Sequence, residues 1–404
     1  MRFRKMLLGM AASAACFTAT QANALSFVLT NTGGAEVGTQ ARQGFDIATR
    51  YWSSVFTDNV TVNLNIGFRT LGPNILGSTS SARSLLSMVQ TYNALAADRT
   101  STIDALAVAN LQPLGPSALG PGIGAVNVVA NGLNAANNGY LDNTLRFDND
   151  GSVNNSTTAV TKASAKALGL TTDVNGNAIN YGTADGSITF SSAFTFDFDP
   201  TDGIASNAFD FIGVAIHEIG HALGFVSGVD SYDAFTSPGG TNTTPGALEG
   251  FVVASSLDLF RYSAPGQLDW STINDPYFSL DGGYNQLFGD SRFSTGVANG
   301  DGNQASHWKD SPARVPQLGV MDPTSGRGQM QEITGLDLAA FDAIGWNVGF
   351  NVLSNPNYRF TTAQAYSLFA AVPEPATWVQ MILGFGLVGA AARRRRIKTT
   401  VSFA

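Results

Sequence analysis

The spacing of apolar residues divides the chain into helical and extended stretches. Between Thr39 and Phe56, residues Ala41, Phe45, Ile47, Ala48 and Trp52 recur near helical spacing. Val60 to Ile66 alternates apolar and polar, as a half-buried strand does. Ser81 to Ala97 and Thr157 to Leu168 read as helices, the second stopped at Gly169. Gly120 to Asn138, rich in Gly, Ala and Asn, reads as loop. Asp185-Gly186 marks a turn, and Ser187 to Phe198 reads as extended chain. Within it, Ser187-Ile188-Thr189-Phe190 suits either an ordinary sheet strand or an edge strand beside a cleft, where a peptide would pair through its main chain. A helix begins near Phe209 or Asp210 and runs to Gly224. From Asp230 to Ser306 the pattern dissolves into Gly, Asn and Ser with scattered aromatics. Such a long insertion with little regular structure is uncommon in a compact domain unless it is functional. Thr334 to Ile344 forms a last helix, with Thr334 as N-cap, Asp337 three residues on, and Gly345 as stop.

Both ends fall outside this pattern. Residues 1–24 combine the basic Arg2, Arg4 and Lys5, an apolar stretch from Met6 to about Thr18, and the small-residue triplet Ala22-Asn23-Ala24. That is the layout of a secretory signal peptide. At the other end, Val372-Pro373-Glu374-Pro375 precedes an apolar run from Ala376 to Ala392, closed by Arg393 to Arg396. The run is just long enough to cross a membrane at about 1.5 Å per residue, and the Arg block would stay cytoplasmic. A plain tail anchor would account for the run. The Pro-Glu-Pro, the short span and the Arg block together resemble the PEP-CTERM sorting signal of Gram-negative bacteria. The resemblance implies transient anchoring in the inner membrane, handling by an exosortase-type enzyme, and release or transfer to the cell surface. The chain then divides into a signal peptide (1–24), a main domain (25–350, with subdomains at about 25–228 and 229–350), a linker (351–372) and a sorting signal (373–398).

Composition changes meaning once the ends are set aside. The 404 residues are 44% hydrophobic and 13% charged, which excludes a disordered chain. The formal charge is -8, but three basic residues lie in the leader and five in the tail, against one acidic residue, Glu374. The body keeps 14 basic and 29 acidic residues, a charge near -15, which argues against a nucleic-acid partner. The single cysteine, Cys16, lies in the leader, so the body forms no disulfide. Of its 29 carboxylates, 25 are Asp, many beside Gly or Asn, as in Asp148-Asn149-Asp150-Gly151 and Asp197 to Gly203. Such oxygen clusters suit a structural Ca²⁺, although simple turn formation explains them as well.

The chemistry concentrates in His217-Glu218-Ile219-Gly220-His221. On a helix, His217 and His221 project from one face a turn apart, so two imidazoles can hold one Zn²⁺. Glu218 can reach a water on that metal without binding the metal, as general base and then proton donor to a leaving amine. A catalytic zinc needs a third protein ligand and an open position. His307, the remaining one of three histidines, is one candidate; Asp230, nine residues after His221, and a downstream Glu are others. Met321 follows in Gly319-Val320-Met321-Asp322-Pro323, a tight turn suited to packing beneath a metal site.

The H-E-x-x-H helix, Gly224, the distal His307, Met321 and the closing helix resemble, in that order, the leishmanolysin-like branch of the metzincins, over about Ser26 to Val348. That resemblance implies an α+β metzincin-like zincin fold, with a twisted mixed sheet over the active-site helix and a mostly irregular C-terminal subdomain. It also implies an exported zinc endopeptidase acting on protein or peptide, with His217, His221 and His307 as ligands and Glu218 as base. Two departures stand out. Ser227 occupies the position where compact metzincins place the third His. Pro323 stands two residues after Met321, where some metzincins carry a Tyr. Three other classes compete. A surface or exopolysaccharide-matrix protein with a structural metal would need a fourth ligand. A carboxylate-pair glycosidase would leave H-E-x-x-H unexplained. A Ser-His-Asp hydrolase would lack a spare histidine once all three are metal ligands.

Overall fold

The computed structural model describes residues 25–133, 141–236, 250, 254–311, 315–370 and 382–387. It shows a mixed α+β protein built from several small sheets and packed helices. The chain enters as strand β1 (Ser26–Gly33), followed by helix α1 (Gln40–Val55). Thr39 caps α1 by accepting from the Arg42 amide. Strands β2 (Thr61–Arg69), β3 (Gly77–Ser81) and β4 (Gly186–Ser191) complete a four-stranded sheet in the order β1-β2-β4-β3. The first three are parallel neighbours, and β3 runs antiparallel to β4. The segment Ser187–Phe190 therefore lies inside the sheet, and β3 is the edge.

Helix α2 (Phe211–Leu223) packs beneath this sheet with α1 beside it. Phe45 of α1 meets Phe211 edge-on at 5.3 Å, and the Trp52 indole donates to the Ile216 carbonyl at 3.2 Å. Asp210 caps α2 by accepting from Gly213 at 3.0 Å. Every residue of α2 except His217 is buried, so the helix is apolar nearly all round and held by packing on all sides. Gly224, at φ 120°, ends it. A β-carbon there would collide with the Ser164 hydroxyl, so the glycine answers both a left-handed backbone and a close approach. Helix α3 (Gly335–Ala343) closes the core with the expected Thr334/Asp337 capping box, and Gly345 follows at φ 105°.

Several expectations need correction. Ser81 to Ala97 contains the strand Arg83–Ser87 before the helix Met88–Asp98. Thr157 to Leu168 contains the strand Thr157–Thr161 before the helix Lys162–Ala167. These two strands pair with each other. Part of the stretch taken as loop is the strand Val128–Leu133. It joins Leu141–Asp148 and three strands of the insertion, Arg261–Ala264, Gln267–Asp269 and Tyr277–Phe278, in a five-stranded sheet. The insertion thus has a framework of its own, including the helix Val229–Thr236 and the buried Leu259, Phe260 and Trp270. Residues 351–370 are no linker. Arg359–Thr361 pairs with Glu332–Thr334, and the helix Thr362–Phe369 packs on α1 with Thr362 and Ala365 fully buried.

The leader (1–24) and most of the tail lie outside the described residues. Within the expected span, only 382–387 are described, as a short exposed helix. Among the described residues, no helix is long and apolar enough to cross a membrane.

Candidate metal centre

The three histidines meet over the last turns of α2. His217 and His221 come from that helix, and His307 arrives from the far end of the insertion. Their Nε2 atoms lie 3.0 Å (His217–His221), 3.2 Å (His221–His307) and 3.2 Å (His217–His307) apart. Each Nδ1 faces a backbone carbonyl: His217 that of Val320 at 2.8 Å, His221 that of Phe225 at 2.7 Å, His307 that of Gln304 at 3.1 Å. A carbonyl only accepts, so each Nδ1 carries the proton and donates it. Three Nε2 lone pairs then point at one spot, with no proton available to bridge them.

This arrangement fits a cation. Nitrogens at about 2.0–2.1 Å from a tetrahedral zinc are about 3.3–3.4 Å from one another, close to the spacings found here. Among the described residues, this is the one group of three or more His, Cys, Asp or Glu side chains that could hold a metal ion. Burial favours neutral imidazoles, the form that binds metal. It lowers His217 to about 4. Burial, helped by the neighbouring His217, lowers His221 to about 3. His307 is pushed well down by burial and then by the other two histidines.

Glu218 leaves α2 toward the sheet edge. Thr79 of β3 donates to its Oε2 at 2.7 Å and to its backbone carbonyl at 2.9 Å. Gly77 leaves the room: a β-carbon there would sit 2.5 Å from Oε1. Burial raises the carboxyl to about 7, partly opposed by the Thr79 hydrogen bond. A group with that affinity can both take up and give back a proton near neutral pH.

Met321 packs under the site. A β-carbon on Gly220 would lie 2.6 Å from its sulfur, so the glycine lets the thioether seat against α2. The Met321 carbonyl accepts from the Trp308 amide at 3.0 Å, tying the turn to the His307 segment. Asp337, fully buried in the first turn of α3, binds the same parts. It accepts from the Trp308 indole at 2.8 Å, the Val320 amide at 2.9 Å, the Met321 amide at 3.3 Å and the Thr334 amide at 2.8 Å. Its capping role is visible in the sequence; its grip on Trp308 and the Met321 turn is not.

Asp230 stands apart from the histidine group. Its Oδ1 accepts from the Ala305 amide at 2.5 Å, and its Oδ2 accepts from the Ser306 amide at 3.1 Å and the Ser306 hydroxyl. Both oxygens are occupied by the segment that carries His307. Gly77 and Thr79 escape the sequence reading because the run Gly77-Ser78-Thr79-Ser80-Ser81 has no apolar alternation to mark it as a strand. As for the calcium expectation, the carboxylates of Asp197 and Asp199 accept from nearby amides of their own loop, as turn-forming side chains do.

Comparison with known families places a PEP-CTERM protein-sorting motif at residues 371–396. The motif implies recognition by an exosortase-type sorting enzyme and points to export and sorting to the cell envelope. No curated protein and no solved structure matches the chain.

Proposed function

We propose that this chain is an exported zinc-dependent endopeptidase of metzincin-like fold. The observation that carries the reading is the convergence of three Nε2 lone pairs, each fixed by a carbonyl behind its ring, beside a buried carboxylate that binds none of them. His217, His221 and His307 would hold the metal through Nε2. When bound, zinc supplies Lewis acidity, polarising a water and the scissile carbonyl. Glu218 removes the proton from the attacking water and delivers it to the departing amine, so the carboxyl ends the cycle as it began. Thr79 holds the carboxylate by one oxygen and leaves the other free for the proton. The outer edge of β3 lies beside Glu218 and offers main-chain donors and acceptors to an extended substrate. A purely structural metal site would be closed by a fourth protein ligand, and among the described residues the group has three.

The test is chelation followed by metal replacement. The purified body is expected to cleave an unfolded protein substrate, to lose that activity with a strong chelator, and to regain it with about one equivalent of Zn²⁺. Cleavage that persists in demonstrably metal-free protein would defeat the reading.

A further inference from the structure

The third histidine is 86 residues from the second, so its position depends on how the insertion is held. Two charged side chains do the holding, the half-buried Asp230 and the buried Arg261. Asp230 takes the Ala305 and Ser306 amides and the Ser306 hydroxyl, and that hydroxyl in turn accepts from the Ser227 amide at 2.8 Å. Ser227 is four residues past the end of α2, so the His307 segment is tied to the helix that carries the other two histidines. From the opposite side, Arg261 donates to the Ser294 carbonyl at 2.9 Å and, at 3.5 Å, to the Ala305 carbonyl. The Ser294 amide then donates to the His307 carbonyl at 3.0 Å. The guanidinium is 1% exposed and lies 5.1 Å over the Phe293 ring. Its hydrogen bonds run to carbonyls, its Nε has no hydrogen-bond partner among the described residues, and Asp258, Asp269, Asp230 and Asp301 supply the neighbouring negative charge. A buried cation held in this way is costly, and a well-packed apolar residue would often stabilise the fold more. Both of its carbonyl contacts lie on chain that touches or adjoins His307, which fits a role in placing that segment.

We propose that Asp230 and Arg261 are positioning residues for His307: they grip the Ala305–His307 backbone from two sides and so set the geometry and affinity of the metal site. This rests on reading the histidine group as a metal centre. Groups that orient a ligand typically change metal affinity by about 10–100-fold when removed.

The test uses the folded chain with Zn²⁺ in competition with a chromophoric chelator, and Co²⁺ as a spectroscopic probe of coordination. Asp230→Ala and Arg261→Met are each expected to weaken Zn²⁺ binding about 10–100-fold and to alter the visible Co²⁺ spectrum toward that of His307→Ala. Asp230→Asn, which keeps an acceptor for the loop, is expected to recover much of the loss. Ser306→Ala serves as the milder probe if Asp230→Ala does not fold, and is expected to shift affinity in the same direction. A merely structural role would lower the melting temperature of metal-free protein and leave Zn²⁺ affinity and the Co²⁺ spectrum unchanged well below melting; that result overturns the proposal. A wild-type chain that binds neither Zn²⁺ nor Co²⁺ would overturn the metal reading and the positioning role together. Variants that match a metal-binding wild type would overturn the positioning role alone.

Discussion

Gly77 and Glu218 lie in close contact. The β3 backbone passes so close to the carboxylate that any side chain at 77 would displace it. Gly77→Ala is therefore expected to lower peptide hydrolysis at least about tenfold, a barrier change of about 1.4 kcal/mol, with the metal retained. Parallel activity and metal-content measurements check this; unchanged turnover would show that the carboxylate does not need its present seat. At this scale much of the candidate site is legible in sequence, because the spacing of His217, Glu218 and His221 is itself the geometry of one helical turn. His307 is legible by elimination, as the remaining histidine. The roles of Gly77, Thr79 and Asp230 are not, since they arise from contacts between segments far apart in the chain. Asp230 shows the limit most clearly. Its distance from His221 allows a ligand, and only the fold reveals that it serves the loop.

Elements fail to be legible where one type runs into another. Arg83–Ser87 and Thr157–Thr161 each pass directly into a helix, and the junction residue, Ser87 or Thr161, caps that helix by accepting from an amide three residues on. A continuous apolar pattern across such a junction reads as one long helix, although Thr157-Thr158-Ala159-Val160-Thr161 is rich in β-branched residues. The sheet of the insertion escapes for another reason. Its strands are two to eight residues long, and the parallel pairing of Gln267–Asp269 with Val128–Leu133 has no local signal. Helix α3 is the opposite case, since its cap and its glycine stop are both local. Its capping carboxylate carries more than the helix. Asp337→Ala would leave the Trp308 indole and the Val320, Met321 and Thr334 amides without their buried acceptor. The expected cost is roughly 3–5 kcal/mol, since each buried donor left unpaired costs about 1–3 kcal/mol. Chemical denaturation measures it, and a loss below about 1 kcal/mol would show that water or neighbouring groups replace the carboxylate.

Across the whole molecule, the acidic balance has one local consequence behind α3. Asp58, Asp98, Asp104 and Asp342 gather around Asn347 and Ser101, where the interactions recorded for these carboxylates involve other carboxylates, hydroxyls and amides. Burial, and then Asp104, raises Asp342 far above the usual carboxylate range. Burial raises Asp98 to about 7, with Asp104 and Asp58 adding to the effect. A carboxyl whose folded pKa is raised stabilises the fold fully below its unfolded value near 3.8, and that contribution is lost as pH rises through the folded value. Asp342→Asn removes one such group. Its stability relative to wild type is expected to improve steadily from pH 5 to pH 8, as read by denaturant midpoints at fixed metal loading. A difference independent of pH would mean that Asp342 does not titrate in that window. The sorting motif at 371–396 follows a folded body that continues through Ala370, so the signal begins directly after the last packed helix. The proposed hydrolysis rests on Glu218 acting on a metal-activated water, and the variant Glu218→Gln isolates that step. Metal content and peptide cleavage measured side by side on wild type and variant give the most direct test. About one zinc per chain is expected in both, with cleavage in the wild type alone. A Glu218→Gln protein that still cleaves, or a wild type that cleaves without metal, would contradict it.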